Sequence, residues 1–161
     1  RPNENSLSIG ARRRSVQSMR WDQISWNRKE WTIPETKSGN PHTIPLCTHA
    51  IEILKQRKNN ESEWVFPGHK KDTHLEEPRV PWKRILKKSK ITNLRIHDLR
   101  RTLGSWMAMT GCSLPVIGKA LGHTEHGITG IYARIDNRVV RSAIEKAVKT
   151  ILVKGKLKLN R

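Results

Sequence analysis

From His97 onward the apolar positions recur with the period of a helix. Leu99, Leu103, Trp106 and Met107 stand at i, i+4, i+7 and i+8, which predicts one apolar stripe along that stretch. Gly111 ends the helix, and Ser113 is placed to cap a second one whose stripe is Val116, Ile117, Ala120 and Leu121. Gly122 stops the second helix and turns the chain at His123. A third helical stretch carries Ile128, Ile131 and Ile135, with Tyr132 one turn beyond Ile128.

Nearer the N-terminus the period changes to two. Ile24 and Trp26, Trp31 and Ile33, and Ile44 and Leu46 alternate with polar residues, with turns at residues 27–30 and 38–40. The pattern predicts a three-stranded antiparallel meander, with Pro34 and Pro45 near strand ends. A short helix with Val16 and Met19 buried is expected before it, following Gly10 and the arginines Arg12, Arg13 and Arg14. After it, Thr48 caps a helix containing Ile51, Ile53, Leu54 and Arg57, ended by Asn59 and Asn60. A short apolar run, Trp64-Val65-Phe66-Pro67, leads into a polar loop. Val80, Trp82, Ile85 and Leu86 then read as an amphipathic helix set among Lys83, Arg84, Lys87 and Lys88. Val139, Val140, Ile144, Val148, Ile151 and Leu152 read as a last one, after a turn at Asp136 and Asn137. The expected fold is therefore α+β, mainly helical with a small three-stranded antiparallel sheet. Residues 1–8 show no periodicity and 154–161 form a basic tail; no repeat or low-complexity segment interrupts the rest.

Charge sharpens the picture. Across 161 residues, 32 Lys and Arg against 14 Asp and Glu give a net charge of +18. A surplus of that size points to a polyanionic partner, double-stranded DNA before an anionic membrane, since no apolar run is long enough to span a bilayer. Cys47 and Cys112 stand far apart with no companion ligands, which argues against a zinc site or disulfide framework and fits a reducing compartment. His69, Asp72 and His74 share a turn-rich loop without defined ligand spacing and read as solvated. The chain opens at Arg1 rather than Met and reads as a fragment or a processed piece.

The candidate chemistry lies in the helical half. His97 and Arg100 are three residues apart and share one helix flank. Arginine grips phosphate oxygens in bidentate fashion, and histidine donates a hydrogen bond or moves a proton. Tyr132 is the only tyrosine beside six tryptophans, so tyrosine is not a generic aromatic filler here. A phenol, with an ordinary pKa near 10, becomes a useful nucleophile only beside groups that activate it. A packing role is the ordinary explanation for an isolated tyrosine; the surrounding histidines and arginine favour chemistry.

His97-x-x-Arg100, Leu121-Gly122-His123 and Tyr132 together resemble the C-terminal half of the catalytic domain of tyrosine recombinases, the phage integrase family. The ordered set with its spacing is far more specific than any one motif, and the resemblance covers residues 9–153. It implies a site-specific recombinase that cuts and rejoins DNA through a 3′-phosphotyrosyl intermediate. Arg12, two residues after Gly10, matches the first catalytic arginine, although Ser15 stands where the family often has an acidic residue. Lys37, in Thr36-Lys37-Ser38-Gly39, matches the lysine of a hairpin that reaches into the DNA. The implied set is Arg12, Lys37, His97, Arg100, His123 and the nucleophile Tyr132, with no cofactor and no metal. The absence of a phosphate-cradling glycine loop or carboxylate cluster from the sequence agrees.

The resemblance also implies a homotetramer on two DNA duplexes when full length, a cytoplasmic bacterial or phage setting, and an N-terminal core-binding domain absent from this chain. It further implies a C-terminal helix passed to a neighbouring subunit, for which residues 139–152 qualify. Three other readings stand beside it. A type IB topoisomerase shares the chemistry, but the short spacing from His123 to Tyr132 favours a recombinase. A ribosomal-type basic protein accounts for the charge and not for the motifs. A catalytically inactive DNA-binding remnant of an integrase is the alternative of a different class.

Overall fold

A computed structural model of the chain describes residues 9–34, 41–58, 61–122 and 134–155. The first helix, α1 (Arg13–Gln17), buries Val16 as the sequence predicts, and Met19 follows it into the core. A single 3-10 turn (Trp21–Gln23) leads into β1 (Ile24–Ser25), β2 (Glu30–Ile33) and β3 (His42–Pro45). These pair as an antiparallel sheet in the order β1-β2-β3, with Trp31 opposite both Ile24 and Ile44, and Ile33 opposite His42. The first strand is shorter than the alternation predicts. Trp26 falls in the turn, where it stacks on Trp21 and lies beneath the Lys58 ammonium. Lys29, with φ at 53°, closes that turn, and Glu30 already belongs to β2.

Four further helices complete the described chain up to the last one. Helix α2 (Thr48–Arg57) begins one residue past Cys47, which holds the N-cap position expected for Thr48. Helix α3 (Arg79–Ser89) forms where predicted, but none of its residues is buried, and Val80 and Ile85 remain 59% and 38% exposed. Its tryptophan explains part of the difference, because Trp82 Nε1 donates to the Leu94 carbonyl at 2.9 Å instead of entering the core. Helix α4 (Ile96–Met109) and helix α5 (Leu114–Leu121) bury Leu103, Met107, Val116, Ile117, Ala120 and Leu121, the predicted stripes less Leu99 and Trp106, which are only partly covered. Among the described residues no helix is long and apolar enough to cross a membrane.

The last helix, α6 (Asn137–Lys154), starts where a turn was expected, because the Asp136 carboxylate accepts from Arg138 N at 2.7 Å and caps it. Val140, Ile144, Ala147 and Val148 are buried against α4, α5 and β3, while Val139 faces solvent at 53% exposure. Polar latches frame this contact. Asn137 Nδ2 donates to Glu30 Oε1 at 2.9 Å, Arg141 to the Arg28 carbonyl, and Thr48 N to Glu145 Oε2 at 2.8 Å. Lys146 Nζ reaches the Thr110 carbonyl at 2.9 Å. In the single chain, this helix completes its own core. Buried apolar residues from Ile9 to Val148 form one continuous cluster with the sheet at one side and the three helices α4, α5 and α6 at the other.

Candidate active site

Arg12 and Arg100 meet where the chain enters α1. Arg12 is the extended residue capping that helix and is exposed. Arg100, on α4, is only 7% exposed, and its Nη1 donates to the Gly10 carbonyl at 2.5 Å. Gly10 has φ at +70°, and a Cβ there would stand 2.8 Å from Leu103 Cδ2 and 3.2 Å from Leu121 Cδ2. A glycine is therefore required both by backbone conformation and by the apolar side chains that close on it. The result is a buried guanidinium pinned to the backbone two residues from the other arginine.

Neither guanidinium forms a salt bridge among the described residues. Burial first, and then the Arg12 charge, pull the Arg100 pKa down to about 10. Arg100 therefore remains protonated at neutral pH, and the two guanidiniums stand near each other with no carboxylate paired to either among the described residues. Such an arrangement favours an arriving anion, and guanidiniums hold phosphate oxygens with matched geometry.

His97 stands on the exposed first turn of α4, one turn before Arg100. That turn is fixed by Asp98, whose Oδ2 accepts from Arg95 N at 2.9 Å while Asp98 N donates to the Arg95 carbonyl at 2.9 Å. The hydrogen bond from the Arg95 backbone is the main reason the Asp98 carboxyl lies below its usual range. The carboxylate thus anchors the helix start and leaves His97 free to face outward.

One residue at this site was not among those expected. His42, on β3, shares the inward register of Ile44 and Leu46, and that register was the available signal. Its ring lies against Gly122, the left-handed cap of α5 at φ +61°, so closely that a Cβ there would stand 2.7 Å from His42 Nε2. Nε2 is buried with no hydrogen-bond partner among the described residues. Burial, then Arg100, Arg12 and Lys119, lower the His42 pKa from 6.5 to about 4. The ring is neutral at pH 7.

This depression carries a stability consequence with a definite sign. The unfolded chain takes up a proton near pH 6.5 that the folded chain refuses until about pH 4. Stability is full above that window and falls as pH drops through it, by at most about 3 kcal/mol from this group. Urea unfolding at pH 7.5 and pH 5 should therefore show a larger loss for the native chain than for His42→Phe. Equal losses would mean the imidazole titrates normally in the fold.

Lys37, His123 and Tyr132 lie outside the described residues. Their attachment points do not. The segment with Lys37 leaves the sheet at the Ile33–His42 pair, and His123 follows Gly122 directly. Arg134 and Ile135 resume the chain after Tyr132, where Lys119 Nζ donates to the Ile135 carbonyl. A surface groove lined by Thr110, Cys112, Val139 and Lys146 lies elsewhere and contains neither Arg12 nor Arg100.

Known proteins share both the sequence pattern and the fold of this chain. The sequence model of the phage integrase family matches residues 6–139. The integrase of Salmonella phage P22 is 30% identical over 146 residues, covering 82% of this chain and 38% of the phage protein. Tyrosine recombinase XerA of Pyrococcus horikoshii is 28% identical over 152 residues, covering 89% of this chain and 53% of that protein. The chain thus spans about half or less of the length of these curated relatives. Among solved structures, the integrase from mycobacterium phage Brujita superimposes with a TM-score of 0.74 at 18% identity, over 91% of this chain and 51% of that one. The XerH site-specific recombinase bound to its difH substrate superimposes with a TM-score of 0.62 at 14% identity, over 95% and 44% of the two chains. These likenesses establish a shared fold, and with the match over residues 6–139 they place the chain in the phage integrase family.

Proposed function

We propose that the chain is the catalytic part of a site-specific DNA recombinase, covering residues 9–153, that cuts and rejoins DNA through a 3′-phosphotyrosyl intermediate. The observation that carries this reading is the Arg12–Arg100 cleft, two cations brought together with no carboxylate paired to either among the described residues. In the reaction, Tyr132 Oη attacks the phosphorus of a DNA phosphodiester. A phosphorus–tyrosine bond forms, the bond to the 5′-oxygen breaks, and the phenolic proton passes to His97. Arg12 and Arg100 hold the non-bridging oxygens as negative charge builds on them, and His123 hydrogen-bonds to one of those oxygens. Positioning and charge stabilisation supply most of the catalysis in phosphoryl transfer.

The 5′-oxygen leaves with a proton from Lys37. Religation runs the same steps in reverse with a second strand, so the covalent bond conserves the energy and no nucleotide is consumed. Full-length copies act as a homotetramer on two duplexes, in the cytoplasm of a bacterial or phage-infected cell. Helix α3 supports the DNA reading, because Lys83, Arg84, Lys87 and Lys88 are exposed and the helix carries no acidic residue.

Incubation with a pool of nicked duplexes of randomised sequence tests the reading. The nick lets the short released strand diffuse away, so a denaturing gel should show a covalent protein–DNA band. Binding without such a band would make the chain an inactive DNA-binding relative.

The role of Lys37 has its own test. An alkoxide leaves poorly, so Lys37→Ala should slow cleavage by about 10²–10⁴. A 5′-bridging sulfur leaves readily as thiolate and hardly needs the proton. The variant should recover on a 5′-phosphorothiolate duplex, while Arg100→Ala, which damages phosphate stabilisation, recovers much less. Equal Lys37→Ala defects on both substrates would assign this lysine to binding.

A further inference from the structure

His42 is half-buried on β3, and its ring nitrogen Nε2 is wholly enclosed. That nitrogen is unpartnered among the described residues, although strand residues usually find a bond for every buried polar atom. The charged groups acting on it come from three separate elements: Arg100 on α4, Arg12 before α1 and Lys119 on α5. All three are cations. None of them donates a hydrogen bond to Nε2 among the described residues. Gly122 fixes the ring from the fourth side, and the hairpin segment bearing Lys37 departs from the same strand pair.

We propose that His42 is a further phosphate ligand of the Arg12–Arg100 cleft, its Nε2–H donating to a non-bridging oxygen of the DNA phosphate that the arginines hold. The inference rests on the recombinase reading above. An anion among three cations gives Nε2 an acceptor and also offsets the mutual repulsion of its neighbours. As a neutral donor, His42 adds a directed hydrogen bond without adding a fourth positive charge to the cleft. Bonds of this kind, pre-aimed at oxygens that gain charge in the transition state, act mainly on the rate of the chemical step.

Two substitutions separate this role from simple packing. His42→Phe keeps a ring against Gly122 and removes the donor; His42→Gln returns an amide N–H near the position of Nε2. With the nicked-duplex pool, His42→Phe should form the covalent adduct about 10²–10³ more slowly at unchanged DNA affinity, and His42→Gln should regain at least a tenfold part of that loss. A wild-type rate in His42→Phe, or equal defects in both variants, would overturn the proposal. A second measurement needs no cleavage. In the ¹⁵N-labelled chain, inorganic phosphate should move the Nε2 resonance of His42 together with the guanidinium signals of Arg100. Guanidinium shifts with an unmoved Nε2, or no shift in either, would also overturn it. If the native chain forms no adduct while Nε2 still responds to phosphate, the recombinase reading fails and the anion site stands.

Discussion

Tyr132→Phe should form no covalent adduct with DNA while binding duplex DNA as tightly as the native chain. The substitution removes one hydroxyl and keeps the ring, so any packing by the aromatic face survives. No other tyrosine exists in the sequence to take over the attack. Serine and threonine hydroxyls are far weaker acids, and the proposed activating set of His97, Arg100 and Arg12 is read here as serving the tyrosine. The expected result is therefore loss of the adduct to the detection limit on a denaturing gel, with an unchanged mobility-shift curve. Arg100→Ala should behave differently, slowing the adduct by about 10²–10³ without abolishing it, because it removes a transition-state contact and leaves the nucleophile. An adduct of undiminished intensity in Tyr132→Phe would place the attacking group elsewhere.

DNA affinity should also collapse with salt. The net charge of +18 is distributed over several elements, including the exposed basic face of α3 and the cleft arginines. Neutralising on the order of 6–10 phosphates releases as many counterions, which lowers affinity by roughly 10³–10⁵ between 50 and 200 mM salt. Sequence preference should be weak by comparison in this chain. Titration of one duplex at several salt concentrations gives the slope directly. A binding constant that stays flat across the range would mean that the positive charge serves some purpose other than a phosphate footprint.

The helical stripes of α4 and α5 and the strand alternation were legible because each rests on a local period. Leu103 and Met107, or Ile44 and Leu46, face the core whatever lies beyond them. What the local pattern could not convey was the meeting of distant residues. Arg12 and Arg100 are 88 positions apart, and only the fold reveals that Gly10 supplies the carbonyl that pins Arg100. His42 escaped notice for the same reason, since its importance comes from Arg100, Arg12 and Lys119 on three other elements. Helix α3 shows the opposite limit. Its apolar spacing predicts a buried stripe, but none of its residues is buried in the described structure. Periodicity establishes a helix and not its partner.

The latching of α6 limits how far the proposed nucleophile, Tyr132, can travel. Tyr132 stands two residues before Arg134, so chain length alone keeps its Cα within about 7 Å of that residue's Cα. Arg134 leads straight into Ile135, clamped by Lys119, and into the capped start of α6. Lifting α6 would expose Val140, Ile144, Ala147 and Val148 and break its bonds to Glu30, Arg28, Thr48 and Thr110. The apolar part alone costs on the order of 6–10 kcal/mol before the chain entropy regained on release is set against it. The tyrosine is therefore on a two-residue leash whose post is driven into the core of its own chain. Exchange of this helix between subunits would have to replace each of those contacts before it could carry the nucleophile across.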